Sequence, residues 1–220
     1  MTTRSPLIPP TPSAEEYLDE AGRPLDDVFK RTDPVTLFAD WLADATETEA
    51  NDPNAVAFAT SDSDGLPDVR ILLLKDFGEA GFTVFSHRDG TKGKQLSANP
   101  QAAMAFHWKT QRRQVRLRGR VETIADADAD AYFATRARLS QIGAHASEQS
   151  RPLASRDSLR DAVARLDSEM GETIPRPADW TGFRLVPDTI EFWRDRPFRL
   201  HDRLLFTRTD KGWTTQRLYP

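Results

Sequence analysis

A cluster of cationic and aromatic side chains lies near the end of the sequence, in the segment WRDRPFRLHDRLLF that begins at Trp193. The segment contains four arginines and the last of the chain's four histidines. In an extended strand, residues two apart share a face, so Arg199, His201 and Arg203 would point together. This pattern predicts a cationic wall over an anionic or electron-rich ligand, with Trp193 beside an aromatic ring. A solvated strand with its apolar side on the core is the alternative.

A second candidate set is spaced for a helix. Tyr132, Arg136 and Ser140 recur at intervals of four residues in AYFATRARLSQIG, so a continuous helix would align them in one stripe. Two hydroxyls and a guanidinium are suitable hydrogen-bond donors for a phosphate group. The stripe therefore predicts a phosphate site, but an amphipathic helix with an exposed arginine has the same spacing.

Two further cationic segments could bind phosphate. In RILLLK, Arg70 and Lys75 bracket four aliphatic residues, which predicts a buried strand with a cation at each end. In SHRDGTKGKQL, Ser86, Thr91 and Lys92 surround a glycine turn where a helix is predicted to begin, and backbone N–H groups with the helix dipole favour anions there. The first pair of charges could equally just terminate the strand, and the second pattern is a weak signal by itself.

The elements that must position these residues are short. A helix is predicted from Asp33, with Leu37, Phe38, Trp41 and Leu42 on one face. Strand-like runs separated by turn residues follow, and then helices at ADADADAYFATRARL and SRDSLRDAVARLDSEM, with a predicted loop, SQIGAHASEQSRP, between them. GFRLVPDTIEFWRD, FRLHDRLLFTRT and GWTTQRLYP are predicted as closing strands. The sum is an α+β protein with roughly six or seven strands in an antiparallel barrel and helices at its edges.

The sequence predicts one folded domain preceded by an arm. Residues 1–32 are rich in proline and charge, which predicts a partly flexible segment without a core of its own. Residues 33–220 are predicted to form a single domain, because a chain of 220 residues can bury one sizeable core.

The amino-acid composition limits the classes of function that the sequence favours. The net charge of −4 and pI near 5.6 argue against nucleic-acid binding, so local basic clusters suit a small anionic ligand better. The chain has no cysteine, and its four histidines lack metal-ligand spacing, so no disulfide, catalytic thiol or metal site is predicted. No apolar run approaches the roughly 20 residues of a membrane span, and no signal peptide is recognisable. These features predict a cytoplasmic protein that does not enter the membrane.

The order of these segments is more specific than any one of them. RILLLK, SHRDGTKGKQL, RRQVRLRGRVE, AYFATRARLSQIGAHASEQS, GFRLVPDTIEFW, RLHDRLLF and the terminal RLYP together resemble the pyridoxamine 5'-phosphate oxidase family, from about residue 35 to residue 220. The resemblance implies an α+β fold built on an antiparallel FMN-binding split β-barrel, and a homodimer with FMN at the subunit interface. It also implies oxidation of pyridoxamine or pyridoxine 5'-phosphate to pyridoxal 5'-phosphate by O2, with release of H2O2 and, from the amine, NH3.

The resemblance further assigns roles to individual residues. The substrate would be bound by Lys75, Tyr132, Arg136, Ser140, Arg199 and His201. Of these, Arg199 and His201 would be the catalytic pair that covers the substrate's pyridine ring. The residues that would hold FMN are Arg70, Ile71, Leu72, Leu73, Leu74, Lys75, Phe85, Ser86, Thr91, Lys92, Gln114, Gln149, Ser150, Trp193 and Arg203. The contact of Gln149 and Ser150 is expected to come from the partner subunit.

The sequence departs from the family pattern at a few places. Thr91 stands where an arginine is frequent, Ala137 where proline is usual, His145 where tryptophan is usual, and Tyr219 where alanine is common. Two other functions stay open: a split-barrel flavin oxidase for another small substrate, such as a phenazine precursor, and a non-catalytic FMN- or pyridoxal-phosphate-binding protein. The sequence keeps every residue predicted to bind the substrate phosphate, and it keeps the catalytic pair. Both observations favour the vitamin B6 oxidase.

Overall fold

The computed structural model describes Glu15 and residues 27–220. Most of the arm predicted for residues 1–32 therefore lies outside the described residues. Its end contacts the domain through a short 3-10 helix, Val28–Lys30, which begins where the Asp27 carboxylate accepts a hydrogen bond from Phe29 N. Val28 is buried in the main hydrophobic core, so this end of the arm packs on the domain that follows it.

One continuous antiparallel sheet of nine strands dominates the described residues. The strand order is β2-β1-β5-β6-β7-β4-β3, while β8 pairs with β7 and β9 pairs with β8. The strands are β1 (Ala55–Ser61), β2 (Pro67–Leu73), β3 (Asp76–Gly78), β4 (Gly81–His87), β5 (Gln101–Trp108), β6 (Arg113–Thr123), β7 (Trp180–Arg194), β8 (Asp202–Thr209) and β9 (Gly212–Arg217).

Five α-helices flank this sheet in the part of the chain that the structure describes. They are α1 (Pro34–Thr48), α2 (Thr91–Ala98), α3 (Asp126–Ala134), α4 (Arg138–Ala146) and α5 (Arg156–Glu169). None of the described helices combines the length and the apolar character that crossing a bilayer would require. Helix α1 begins as predicted, because the Asp33 side chain accepts hydrogen bonds from Val35 N and Thr36 N and Pro34 occupies the first turn.

The main core lies between the sheet and α1. Phe38 on this helix is fully buried and meets the rings of Phe82 and Phe106 edge to face, with centroids 4.9 and 5.0 Å away. A smaller core lies beneath α3 and α4, where Phe133 and Ile142 pack around Trp180. The second core matters for function, because it fixes the two helices that carry the predicted phosphate-binding residues.

The long pair β6–β7 connects the two ends of the molecule. Alternate residues of β6 are buried while the arginines between them, Arg116, Arg118 and Arg120, face outward, as the alternating sequence predicts. The register shifts between Arg118 and Gly119, which marks a bulge. Glycine is required at 119 because a Cβ there would lie 2.0 Å from the Val186 carbonyl oxygen.

Three predictions about the elements are wrong in detail. The segment DVRILLLKDF is two strands rather than one, since β2 ends at Leu73 and β3 begins at Asp76, and the strand total is accordingly higher than predicted. Helix α4 occupies the start of the segment predicted as a loop, and residues 135–137 interrupt the helix predicted to be continuous. Strand β8 begins only at Asp202, because the preceding residues form a turn rather than an extended chain.

Candidate active site

A cleft of about 490 Å³ opens between the end of β4 and helices α3 and α4. It contains the four residues predicted to hold the substrate phosphate, hereafter called the phosphate set: Lys75, Tyr132, Arg136 and Ser140. Its other walls are Leu73, Phe85, Ser86, His87, Gly143, Ala144, Ser147, Gln149 and Trp180. Residues from five separate stretches of sequence therefore converge on one concave surface that carries two cations and several hydroxyls.

Tyr132, Arg136 and Ser140 converge on the cleft, but they do not lie along one continuous helix as the sequence pattern predicts. Tyr132 lies on α3, Arg136 lies in the connection after it, and Ser140 lies on α4. The Gln141 side chain ties the two helices together by donating to the Phe133 carbonyl at 2.8 Å. The chain thus turns at residues 135–137, and this turn directs all three side chains into the cleft.

The Arg136 side chain is a partly buried cation, and within the described residues not all of its N–H groups have a hydrogen-bond acceptor. Its guanidinium carbon lies 4.9 Å from the ring centre of Trp180 and 5.4 Å from that of Phe133. Its Nη1 atom is buried and has no hydrogen-bond partner among the described residues. Burial lowers the pKa of Arg136, while nearby Tyr132 opposes this effect. An anion in the cleft would satisfy the orphaned donor and offset the cost of burying the charge.

Aromatic stacking forms the floor of the cleft. The Phe85 ring stacks on Tyr132 at 4.0 Å between centroids and on Trp180 at 5.0 Å. Burial raises the pKa of the Tyr132 hydroxyl, and the positive charge of Arg136 only partly opposes this shift. Tyr132 therefore keeps its proton at neutral pH and is available as a hydrogen-bond donor to an anion.

A second polar group of residues lies beside the cleft at the start of α2. The buried Lys92 amine donates to Ser86 Oγ at 2.9 Å and to Gln149 Oε1 at 2.6 Å. Burial, followed by repulsion from Arg70, lowers the pKa of Lys92 to about 8. Lys92 forms no ion pair with a carboxylate anywhere in the described part of the chain. A buried amine in these surroundings fits a phosphate group, whose negative charge would restore the full charge of the lysine.

Gln149 and Ser150 reach this group from within the same chain. Ser86 Oγ donates to Gln149 Oε1 at 2.9 Å, and Thr91 N donates to Ser150 Oγ at 3.3 Å. The resemblance to the family predicts that the partner subunit's copies of Gln149 and Ser150 make this contact with FMN. The single chain already brings both of them to the N-terminal end of α2.

The strand that contains RILL lies at the edge of the sheet. The two cations of the RILLLK segment, Arg70 and Lys75, lie in different surroundings. Arg70 is bound internally, because its guanidinium donates to Thr60 Oγ1 at 2.6 Å and pairs with Asp68 at 2.5 Å. Leu74 is buried and Leu73 and Lys75 line the cleft. Ile71 is 66% exposed, and Leu72 packs partly against the core. The prediction of a buried strand is therefore wrong for β2, whose residues are half-buried or exposed, and the buried Leu74 follows its end.

A different set of predicted flavin neighbours is aligned across three strands. Gln114 on β6 is opposite Trp193 on β7, which is opposite Arg203 on β8. Arg203 Nε donates to Glu191 Oε1 at 2.7 Å, and its Nη1 donates to the Tyr219 carbonyl at 2.8 Å. These bonds hold the guanidinium in place, and they connect it to the C-terminal residues.

Arg199 and His201 do not share a strand face with Arg203, so that prediction is wrong. Phe198 and Arg199 both have left-handed backbone angles, with φ values of 57° and 61°. Two consecutive non-glycine residues in this region are strained, typically by about 1–3 kcal/mol each. The resulting turn leaves Arg199 exposed and brings the His201 ring to 4.6 Å from the Trp193 ring. The grouping is therefore produced by a tight turn and not by strand alternation.

Within one chain the two sets of predicted site residues are far apart. Ser86 is opposite Thr181 near the start of β7, whereas Gln114 is opposite Trp193 near its end. Thr181 and Trp193 are twelve residues apart, which corresponds to roughly 40 Å along an extended strand. None of Gln114, Trp193, Arg199, His201 and Arg203 lines the cleft.

Five residues that line the cleft are not among those predicted from the sequence, namely His87, Gly143, Ala144, Ser147 and Trp180. His87 is buried, and its Nδ1 lies 2.8 Å from the Asp179 carboxylate. Trp180 pairs with His87 in the sheet and stacks against Phe85. His87 is two residues from Phe85, so strand alternation could have placed both on one side. Nothing in the local sequence predicted that Trp180 would start a strand opposite them.

Comparisons with known proteins agree with this architecture. The profile described as "Pyridoxamine 5'-phosphate oxidase" matches residues 42–169, and "Pyridoxine 5'-phosphate oxidase C-terminal dimerisation region" matches residues 180–220. A protein of Caulobacter vibrioides named pyridoxine/pyridoxamine 5'-phosphate oxidase is 51% identical over 222 residues, covering 100% of both chains.

Solved structures show the same fold. PhzG from Burkholderia lata 383, in complex with tetrahydrophenazine-1-carboxylic acid, is 29% identical with a TM-score of 0.85, covering 91% of this chain and 100% of the other. A pyridoxamine 5'-phosphate oxidase-related, FMN-binding protein from Nostoc punctiforme has a TM-score of 0.70 at 16% identity, covering 86% and 98%. The antiparallel split barrel with flanking helices is thereby confirmed, and the chain belongs to the pyridoxamine 5'-phosphate oxidase family.

Proposed function

We propose that the protein is an FMN-dependent oxidase that converts pyridoxamine or pyridoxine 5'-phosphate to pyridoxal 5'-phosphate, with O2 as the electron acceptor. H2O2 is the second product, and the amine substrate also yields NH3. The observation that carries this proposal is Arg136, which lines the cleft with three other phosphate donors and whose buried Nη1 has no hydrogen-bond partner among the described residues. The relatives reported above support the same reaction, since the Caulobacter protein is named for it.

The group of residues around Lys92 fits the FMN phosphate. Lys92, in the first turn of α2, offers an amine, Ser86 offers a hydroxyl, and Gln149 and Ser150 are hydrogen-bonded to this group of residues. Thr91, at the first helical position, donates its backbone N–H to Ser150 Oγ, so Lys92, Ser86 and the helix dipole would hold the phosphate without the arginine that is frequent in the family. When bound, FMN would supply the acceptor for a hydride from substrate C4' and the route by which O2 is reduced to H2O2.

The phosphate set then determines how the substrate is oriented. Arg136 provides a planar charged donor, Tyr132 and Ser140 provide hydroxyls, and Lys75 provides an ammonium group at the end of β2. These contacts are remote from the carbon that reacts, so their binding energy serves to hold that carbon in a reactive orientation. The aromatic stack beneath them keeps Arg136 in one position before the substrate arrives.

We infer that the complete site requires a second copy of the chain. Gln114, Trp193, Arg199, His201 and Arg203 lie at the opposite end of β7 from the cleft, yet the family assigns them to the same ligands. A homodimer resolves this separation by placing one end of each chain against the other end of its partner. The C-terminal dimerisation region and the apolar side chains exposed on β2, with Val69 62% and Ile71 66% exposed, support this arrangement.

The turn at residues 197–201 would cover the substrate in the assembled site. Arg199 forms no ion pair within the described residues and is exposed, so its charge is available to a ligand held by the partner. His201 is fixed by its ring contact with Trp193. A cation and an imidazole over the pyridine ring would stabilise charge that develops as C4' is oxidised. Arg203, bound to Glu191, would place positive charge near the flavin and favour its reduced form.

The test is direct. The purified protein should contain FMN, and addition of pyridoxine 5'-phosphate in air should yield pyridoxal 5'-phosphate and an equal amount of peroxide. A phenazine precursor and unphosphorylated pyridoxine should be tested in parallel, because neither could use the phosphate set. Faster turnover of the phenazine precursor would identify the other oxidase. A flavoprotein that forms no peroxide with any of these compounds would be a binding protein.

A further inference from the structure

The carboxylate of Asp195 lies between two cationic or basic groups just beyond the end of β7. Its Oδ1 atom is 3.0 Å from His201 Nδ1, and its Oδ2 atom is 2.5 Å from the guanidinium of Arg112. The side chain of Asp195 is only 15% exposed. Its backbone N–H also donates to the Arg112 carbonyl at 3.0 Å, so both main chain and side chain fix its position. Asp195 is thus a fixed carboxylate close to the proposed catalytic histidine.

Two neighbours compete for the same nitrogen of His201. The Arg196 backbone N–H points at Nδ1 from 3.2 Å, and a bond to it requires that Nδ1 carry a lone pair. The Asp195 carboxylate favours instead a proton on Nδ1, because its anionic Oδ1, 3.0 Å away, would repel a lone pair there. A neutral imidazole has one N–H and one lone pair, so these contacts favour opposite tautomers. The carboxylate oxygen is the closer neighbour and carries a negative charge, so its electrostatic effect favours the tautomer with a proton on Nδ1 over the one that accepts the neutral Arg196 N–H.

We propose that Asp195 is a positioning residue that holds His201 as the Nδ1–H tautomer and leaves Nε2 free as a proton acceptor. This inference rests on the proposed function. Oxidation of the substrate alcohol removes a hydride from C4', for which bound FMN would be the acceptor, and a proton from the hydroxyl oxygen, which Nε2 would accept, so that a C=O bond remains. The ring contact between His201 and Trp193 keeps Nε2 from rotating away.

The tautomer can be measured separately from activity. The chain has four histidines, so long-range ¹H–¹⁵N correlation spectra of the holoenzyme are simple enough to assign with a His201→Gln variant. Spectra at about pH 8.5, where an ordinary histidine is neutral, should show the Nδ1–H form at His201. A wild-type His201 with its proton on Nε2 would overturn the proposal.

Asp195→Asn is the informative variant because it keeps the shape of the side chain. Its Oδ1 can still accept from Arg112. Its amide would then turn an N–H toward His201 Nδ1, and the Arg196 N–H would add a second donor. Both effects should convert His201 to the Nε2–H tautomer. Asp195→Ala should give the same conversion through Arg196 alone, and retention of the Nδ1–H form in both variants would contradict the assignment.

An Arg112→Gln variant is the matched control. It removes the other ion pair of Asp195 and leaves the contact with His201 intact. It should therefore keep the Nδ1–H tautomer. If Arg112→Gln changed the tautomer as much as Asp195→Asn does, Asp195 would be acting through the conformation of the turn, and a direct role would be refuted.

Kinetics provide the second measurement. Anaerobic mixing with pyridoxine 5'-phosphate should show that Asp195→Asn slows the limiting rate of flavin reduction by about 100-fold or more, the usual value of a general base. The substrate dissociation constant should change by less than about twofold, because Asp195 makes no contact with the phosphate set. An unchanged limiting rate would sink the proposal. If wild-type flavin were not reduced at all, the proposed function would fail, and the tautomer would still be decided by the spectra.

Discussion

Replacement of Arg136 by alanine tests the phosphate site most directly. The guanidinium has a buried Nη1 to which no group in the described part of the chain is hydrogen-bonded, so a bound phosphate that reached it would gain a hydrogen bond to a charged donor. Such a bond is worth about 1.5–3 kcal/mol. Since each 1.4 kcal/mol changes an equilibrium constant tenfold, Arg136→Ala should weaken pyridoxine 5'-phosphate binding by roughly 10- to 100-fold. Unphosphorylated pyridoxine, which has no phosphate to lose, should bind equally weakly to both proteins.

The assay is anaerobic titration of the holoenzyme, with the flavin spectrum reporting binding of each ligand. FMN content should stay near that of wild type, because the Lys92 group of residues does not include Arg136. Some loss of stability is expected, since Arg136 contacts the rings of Trp180 and Phe133 and each such contact is worth about 0.5–2 kcal/mol. Binding should therefore be measured well below the unfolding temperature of the variant.

Arg138→Ala is the matched control for damage to the helices. Arg138 is two residues away and binds Asp167 and the Gly171 carbonyl, and it does not line the cleft. This control should lose stability and keep its affinity for the phosphate ligand. An equal loss of both ligands in Arg136→Ala would mean that Arg136 only supports the fold. Loss of FMN would mean that it belongs to the cofactor's phosphate site, and no loss of either ligand would show that the cleft does not use Arg136 to bind phosphate.

Four further predictions concern the cofactor site, the turn and the dimer. Because burial and then Arg70 lower the pKa of Lys92 to about 8, FMN affinity of the apoprotein should fall as the pH rises above that value, and Lys92→Met should remove this dependence. For the same reason the unfolded apoprotein binds this proton more tightly, so the free energy of unfolding should rise between pH 8 and the ordinary lysine value of 10.5, as measured by urea titration. Asp202 accepts from Arg194 at 2.8 Å and from Arg196 at 2.6 Å, so Asp202→Asn should lower the free energy of unfolding, again measured in urea, by about 1–3 kcal/mol. Sedimentation of the holoenzyme should give twice the chain mass of 24.8 kDa, and a monomer that retained FMN would refute a shared site.

The fold could be predicted from local patterns, with errors wherever packing overrides them. Asp33 and Pro34 begin α1 as expected, and the alternation in β6 correctly separates its buried aliphatic residues from its exposed arginines. The break between α3 and α4 could not be predicted, because residues 135–137 carry no strong helix breaker. What stabilises the turn is a distant contact, the bond from the Gln141 side chain to the Phe133 carbonyl.

The sequence by itself determined the residue types of the site and, through their order along the chain, the family. It could not determine which of these residues meet. The grouping of Arg199 with His201 was expected from strand alternation, yet it arises from two left-handed residues whose strain only the surrounding structure can hold. The surroundings of Arg136 likewise depend on Trp180, which is 44 residues away in the sequence. Burial, orphaned donors and competing hydrogen bonds are properties of the packed chain, and only the tertiary structure decided them.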